Sequence, residues 1–114
     1  KKLPVSFLLS KALHDGQLEK AMEDYKNTPD EFEAGESNIK AVAQQLMWSG
    51  QLEKSIEIFR FNSEIFGQSS DAHSSLADAY QQNKQLKLAL VHYQKALLIE
   101  PNNDGLKQKL ESLQ

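Results

Sequence analysis

Apolar residues recur along this chain at spacings of three and four, the pattern of helices that bury one face. From residue 70 onward two such stripes follow each other, separated by Asn83-Lys84. Their members are Ala72, Leu76, Ala79 and Tyr80 in the first stripe, and Leu86, Ala89, Leu90, Tyr93, Ala96 and Leu97 in the second. Ser70 is placed to cap the first helix, and Pro101 ends the second because proline disfavours helical geometry in the residue before it. The segment therefore predicts a helical hairpin.

The same pattern recurs at a shift of 34 residues, and no gap is needed. The stretch Gln17-Leu18-Glu19-Lys20 falls on Gln51-Leu52-Glu53-Lys54 and then on Gln85-Leu86-Lys87-Leu88. Small residues align at Ala21, Ser55 and Ala89, and aromatic residues align at Tyr25, Phe59 and Tyr93. A fixed period of this size marks a stacked array of similar units. We predict three hairpins, at about residues 2–35, 36–69 and 70–103, with Ser37 capping the second.

Both ends of the array depart from the simple repeat. In the first unit, Thr28 precedes Pro29, a favoured first helical residue, so we expect a short extra turn at residues 29–33. After the third unit, Leu106, Leu110 and Leu113 share one face of a last helix. A terminal unit has to cover the open core of its neighbour, so residues 104–114 are predicted to be a capping helix. The expected fold is all-α, a single domain over residues 1–114 with three helix–turn–helix hairpins and this capping helix.

These residues resemble the tetratricopeptide repeat (TPR) family. The resemblance rests on Leu76-Ala77-Asp78-Ala79-Tyr80, on Ala89, on Tyr93-Gln94-Lys95-Ala96-Leu97 and on Pro101-Asn102-Asn103. The second unit departs from the family pattern at Ile39, Asn62 and Gly67, and the first departs most, because Pro29 shortens its second helix. The resemblance covers about residues 2–103. It implies a superhelix with a concave groove, and a role in binding other proteins.

A narrower resemblance concerns the order of residues across the second and third units. The positions that carry this resemblance are Glu36, Leu46, Gly50, residues 56–62, residues 70–72 and residues 75–80. This order looks like repeat tails that follow bacterial serine-hydrolase domains of the beta-lactamase or esterase type. The chain also opens with Lys1 and not with Met, so we expect a piece of a longer protein. The resemblance implies a C-terminal accessory domain, and carries no catalytic residue onto this chain.

The first helix of each hairpin lines the groove in arrays of this family, which gives a set of candidate binding residues. They are Ser6, Ser10, Lys40, Gln44, Met47, Trp48, Ser74, Asp78 and Gln81. Such a polar surface of mixed charge suits an extended or helical peptide, although solvated surface is the alternative for its polar members. Only Lys40 stands where family members grip a C-terminal carboxylate, so binding of chaperone tails is not expected. Trp48 is either a binding hot spot or packed on its neighbour.

Phe61 lies off the main stripe of its helix. An aromatic residue outside the buried stripe can contact something beyond its own hairpin. Our hypothesis is that it faces a neighbouring domain or a second copy of the chain, which leaves self-association open; packing within the chain is the alternative.

Charge and composition exclude several other functions. The formal net charge is −3, which disfavours nucleic acid as a partner, and the apolar runs are too short to span a membrane. There is no cysteine, and the three histidines are isolated in the sequence, so no metal or other cofactor is expected. No catalytic motif is present, so we predict that the chain is not an enzyme. An accessory interaction module and a free-standing peptide-binding adaptor remain, in the cytoplasm or the periplasm.

Overall fold

The structure is a computed structural model that describes residues 2–114, and within them seven α-helices follow each other along the chain. The helices are α1 (Val5–Asp15), α2 (Leu18–Asn27), α3 (Glu36–Trp48), α4 (Leu52–Ile65), α5 (Ser70–Gln82), α6 (Leu86–Ile99) and α7 (Asp104–Ser112). The predicted all-α fold is confirmed. Within these residues no helix combines the length and the apolar character that crossing a membrane requires.

The three turns inside the hairpins have the same backbone geometry. Gly16, Gly50 and Lys84 follow each other at the repeat distance, and all have positive φ, at 72°, 86° and 62°. The residue after each turn donates its backbone N–H back to the first helix: Gln17 to Ala12 at 2.8 Å, Gln51 to Leu46 at 2.8 Å and Gln85 to Tyr80 at 2.9 Å. This bond satisfies a carbonyl at the helix end that would otherwise lack a partner. Lys84 adopts a conformation that glycine takes without strain.

Small residues let the two helices of a hairpin approach closely. Between α3 and α4, the Ser55 hydroxyl donates to the carbonyl of Ala43 at 2.8 Å, and both residues are fully buried. Between α5 and α6, the fully buried pair is Ala77 and Ala89. The helices then pack in series: α3 on α4, α4 on α5, α5 on α6 and α6 on α7. One hydrophobic core runs through the described residues.

The serine caps differ from the sequence prediction. Ser69, one residue earlier than expected, is the N-cap of α5, and its Oγ accepts the N–H of Ala72 at 3.1 Å. Ser70 is instead the first helical residue, and its hydroxyl donates to Glu100, which lowers the pKa of that carboxyl group. Helix α3 likewise has Gly35 at its N-cap, so the prediction of a cap at position 37 is wrong.

The two neighbouring serines give a matched test of the cap. Ser69→Ala should lower the free energy of unfolding by about 1 kcal/mol, because the N–H of Ala72 loses its acceptor. Ser70→Ala removes only a hydrogen bond at the surface and should change it by less than about 0.5 kcal/mol. Urea denaturation of the two variants measures both values. Equal losses would contradict the assignment of Ser69 as the cap.

The first hairpin ends in a way that the sequence pattern did not predict. A 3₁₀ turn at Pro29–Glu31 falls within the extra turn expected at residues 29–33, but Thr28 donates its hydroxyl to the carbonyl of Asp24 and does not cap that turn. Two short strands then pair in parallel, β1 (Leu3–Pro4) with β2 (Phe32–Glu33). This pairing holds the segment after the first hairpin next to the segment that precedes α1.

Phe61 is buried, and the prediction that it faces outward is wrong. Its side chain is only 2% exposed, and its ring meets the ring of Tyr25 edge-on, with 5.7 Å between the centroids. Tyr25 belongs to α2, so this contact joins the second helices of the first two hairpins. Since Phe61 is covered by its own chain, it gives no support to self-association.

Candidate binding surface

An open cleft separates the first helices of the first two hairpins. Its lining residues are Pro4, Ser6, Phe7, Ser10, Asn38, Ala41, Val42 and Gln45. Helix α1 packs against α3 beneath it, whereas α2 and α3 make no comparable contact within residues 2–114. Helix α2 has 10 residues, while α4 and α6 have 14 each. Because Pro29 follows the end of α2, this helix is shorter by four residues, or about 6 Å, and leaves part of α3 open.

Two of the eight residues that line the cleft were predicted from the sequence as binding residues, and three of the six others are polar or small residues on α3. Ser6 and Ser10 line the α1 side, while Asn38, Ala41 and Gln45 line the α3 side. These three residues of α3, which the sequence prediction missed, are exposed. One repeat later their equivalents are Ala72, Ser75 and Ala79, which are buried where α5 packs on α4. By their place in the repeat, Asn38, Ala41 and Gln45 would be buried as well, but the short α2 leaves them exposed in the second hairpin.

Lys40 takes part in an ion pair between hairpins. Its Nζ lies 2.9 Å from Oδ2 of Asp71 on α5, and its side chain is 29% exposed. Gln44, one turn further along α3, is half-buried. Ser74 donates its hydroxyl to the carbonyl of Asp71 at 3.2 Å. Lys40 and Ser74 thus form contacts between or within these helices, and none of the three predicted residues lines the cleft.

Asp78 contacts both of the last two helices, and Gln81 contacts α6. The carboxylate of Asp78 accepts from Lys109 of α7 at 3.2 Å and from the phenol of Tyr93 on α6. Gln81 accepts from the same phenol at 3.2 Å. Burial raises the pKa of Tyr93, and the hydrogen bond and negative charge of Asp78 raise it further. The two predicted binding residues therefore help to hold the last helices in place.

Met47 and Trp48, at the end of α3, differ in their exposure to solvent. Met47 is half-buried and packs against the core. Trp48 is 77% exposed, so it is not packed on the neighbouring hairpin. An exposed tryptophan offers a partner a large rigid apolar surface.

Comparison with known proteins identifies the repeat. Residues 70–103, the third hairpin, match the family model described as tetratricopeptide repeat. This hairpin is a TPR unit. Among solved structures, the chain is similar to the Sgt2 TPR domain from Aspergillus fumigatus, with a TM-score of 0.64 and 25% sequence identity. The similarity covers 97% of this chain and 79% of that one. No curated protein matches the sequence.

Two histidines of the TPR hairpin, isolated in the sequence, lie together in the fold. The rings of His73 and His92 are stacked, with 5.7 Å between their centroids and 18° between their planes. The Nε2–H of His73 donates to the carbonyl of Gly67 at 3.0 Å, while the Nδ1 atoms of both rings are buried without a partner. Burial lowers the pKa of His92 to about 4, and the nearby Lys95, His73 and Arg60 lower it further. His92 is therefore neutral at neutral pH.

The low pKa of His92 makes the TPR hairpin sensitive to acid. The unfolded chain takes up this proton near pH 6.5, but the folded chain does so only near pH 4. Lowering the pH through this window should therefore destabilise the fold, by on the order of 1–2 kcal/mol because the ring is partly solvated. In His92→Gln the stability should fall less between pH 7 and pH 5, as measured by denaturation at both values. A parallel fall in the variant and the wild type would refute this account.

No metal centre accompanies the histidine pair. Across the described residues 2–114, no group of three or more His, Cys, Asp or Glu side chains is placed to hold a metal ion. What the surface offers is hydrogen-bonding groups and exposed aromatic rings, which suit recognition of another chain.

Proposed function

We propose that this TPR-like domain is a non-catalytic protein–protein interaction module that holds an extended segment of a partner in the cleft between α1 and α3. The observation that carries the proposal is the cleft. The amides of Asn38 and Gln45 can donate and accept at once, as the backbone of an extended segment requires. Phe7, which is 56% exposed at the rim, offers an apolar surface beside them.

The charges around the cleft indicate that the bound segment of the partner does not need a charged end. Among residues 2–114 no cation lines the cleft, and Lys40 is paired with Asp71 of α5. A partner held here would be recognised by backbone hydrogen bonds and by one apolar side chain against Phe7. Trp48 lies further along the exposed face of α3, one turn after Gln45, and extends the same surface.

A blocking substitution tests this function. A displayed peptide library is selected on the wild-type domain, and the affinities of the selected peptides are measured by fluorescence anisotropy. Ala41→Arg places a long side chain in the cleft without loss of helix propensity, and should weaken binding at least about tenfold. Gln108→Arg, an exposed position on α7, adds the same charge elsewhere and should leave binding unchanged. Selected peptides that bind Ala41→Arg as tightly as the wild type would refute the cleft as the site.

The parent protein of this module is proposed from the resemblance of its sequence to the repeat tails of bacterial serine hydrolases. We infer that the module acts as the C-terminal accessory domain of a larger bacterial protein, with a serine hydrolase as its parent, and the partner segment is then either in that parent or in another protein. The residue order between Glu36 and Tyr80 supports this inference, and a free-standing adaptor is the alternative. The full-length reading frame, with pull-downs in the presence and absence of this domain, distinguishes them. A frame that begins close to Lys1 would refute the accessory role, and an upstream domain of another kind would refute the hydrolase parent.

A further inference from the structure

The outer face of α6 differs from the equivalent face of the earlier hairpins. At the shift of 34 residues, Leu88, Val91 and Leu98 correspond to Lys54, Glu57 and Glu64 of the second hairpin. In the first hairpin the same positions hold Lys20, Glu23 and Asp30. Leu88, Val91 and Leu98 are all exposed, the last of them by 81%. The third hairpin thus presents leucine and valine at surface positions where both of its siblings carry charge.

These three residues form one continuous stripe, which we call the α6 outer face. They follow each other at spacings of three and seven, so they lie on one side of the helix over about 15 Å. At its end, Leu98 borders a shallow depression whose lining also includes Gln94, Leu97, Pro101 and Lys107. An aliphatic side chain of a partner would fit in this depression.

The charged side chains of α6 are all positive. At 100° per residue, Lys87 falls beside Leu98 at one edge of the stripe, and Lys95 falls between Leu88 and Val91; both lysines are exposed. Helix α6 contains no acidic residue, although the whole chain carries a net charge of −3. Neither lysine forms a salt bridge with any other residue in the range 2–114. The surface therefore combines three exposed apolar side chains with two lysines that form no salt bridge among the described residues.

We propose that the α6 outer face is a second docking surface, and that its occupant is an amphipathic helix whose apolar stripe is flanked by acidic residues. Three turns of such a helix match the length of the stripe, and its carboxylates would meet Lys87 and Lys95. A second copy of the chain does not fit in this way, because antiparallel pairing of two α6 helices would bring their lysines together. The surface lies on a second helix of a hairpin, separate from the cleft between α1 and α3.

The test uses two synthetic helical peptides of about 18 residues, a length at which an isolated helix can form. Both carry the same leucine stripe, and it is flanked by glutamate in one and by lysine in the other. The triple variant Leu88→Lys, Val91→Glu, Leu98→Glu introduces the residues that the second hairpin has at these positions. Leu86→Glu is the control, since it replaces another exposed leucine of α6 on a different side and changes the net charge by the same amount. Circular dichroism melting checks that each variant folds, and Leu98→Glu alone replaces the triple variant if that one does not.

The glutamate peptide should bind the wild type at least about tenfold more tightly than the lysine peptide does. The triple variant should lose about tenfold in affinity for it, and Leu86→Glu should bind as the wild type does. Equal binding of both peptides, or undiminished binding to the triple variant, would overturn the proposal. Sedimentation showing dimers that the triple variant abolishes would assign the surface to a second copy. Binding to phosphatidylserine vesicles that the triple variant abolishes, without binding of the glutamate peptide, would assign it to a membrane.

Discussion

Phe61→Ala should lower the free energy of unfolding by about 3–5 kcal/mol, the range for truncating a buried aromatic residue. The reason is the position of the ring, which is 2% exposed and packed edge-on against Tyr25 of the preceding hairpin. Truncation leaves a cavity between α2 and α4 and removes the aromatic pair. Urea denaturation of the wild type and the variant measures the difference.

Phe7→Ala is the matched control for this substitution. Phe7 is 56% exposed at the rim of the cleft, so its truncation should change the stability by no more than about 0.5 kcal/mol. A Phe61→Ala variant as stable as Phe7→Ala would mean that the first two hairpins do not pack through this ring. Such a result would also revive Phe61 as an outward-facing contact.

Deleting residues 104–114 should lower the stability by about 1–2 kcal/mol and the melting temperature by several degrees. Leu106 of α7 is buried, and Lys109 holds the carboxylate of Asp78 while lying 5.8 Å from the centre of the Tyr93 ring. Without α7, part of α6 would become exposed to water, and a repeat array needs its last apolar face covered. Thermal melting followed by circular dichroism measures the loss.

The exposed residue Glu111 provides the control for the deletion. Glu111→Ala changes α7 without removing a buried contact, so its melting curve should match that of the wild type. An unchanged melting curve after the deletion would refute the capping role of α7.

The sequence was sufficient to predict the helices and their turns, because these depend on local patterns that recur. Gly16 and Gly50 mark left-handed turns directly, and Lys84 was placed in the third turn only by its alignment with them. The helix stripes were predicted because one hairpin buries one face of each helix. Phe61 fell outside this rule: α4 packs against α3 and α5 and also meets Tyr25 of α2, so more than one of its faces is buried.

The parts of the binding surface that the sequence did not predict depend on contacts between hairpins. Asn38, Ala41 and Gln45 have the same place in the repeat as three buried residues of α5, and only the shortened α2 leaves them exposed. The pairing of His73 with His92 joins residues on two different helices, so spacing along the chain could not show it. Ser69 and Ser70 are adjacent and chemically identical, so the backbone conformation alone decides which of them is the cap.

The most direct test of the central claim is a nuclear magnetic resonance titration of the ¹⁵N-labelled domain with a peptide selected on it. The proposal predicts that the largest shifts are at Ser10, Ala41 and Gln45, and that Ala41→Arg abolishes them. Shifts confined to α6 would place the selected peptide on the outer face instead. Shifts that avoid the cleft, or that persist in Ala41→Arg, would contradict the proposal that this TPR-like domain binds its partner between α1 and α3.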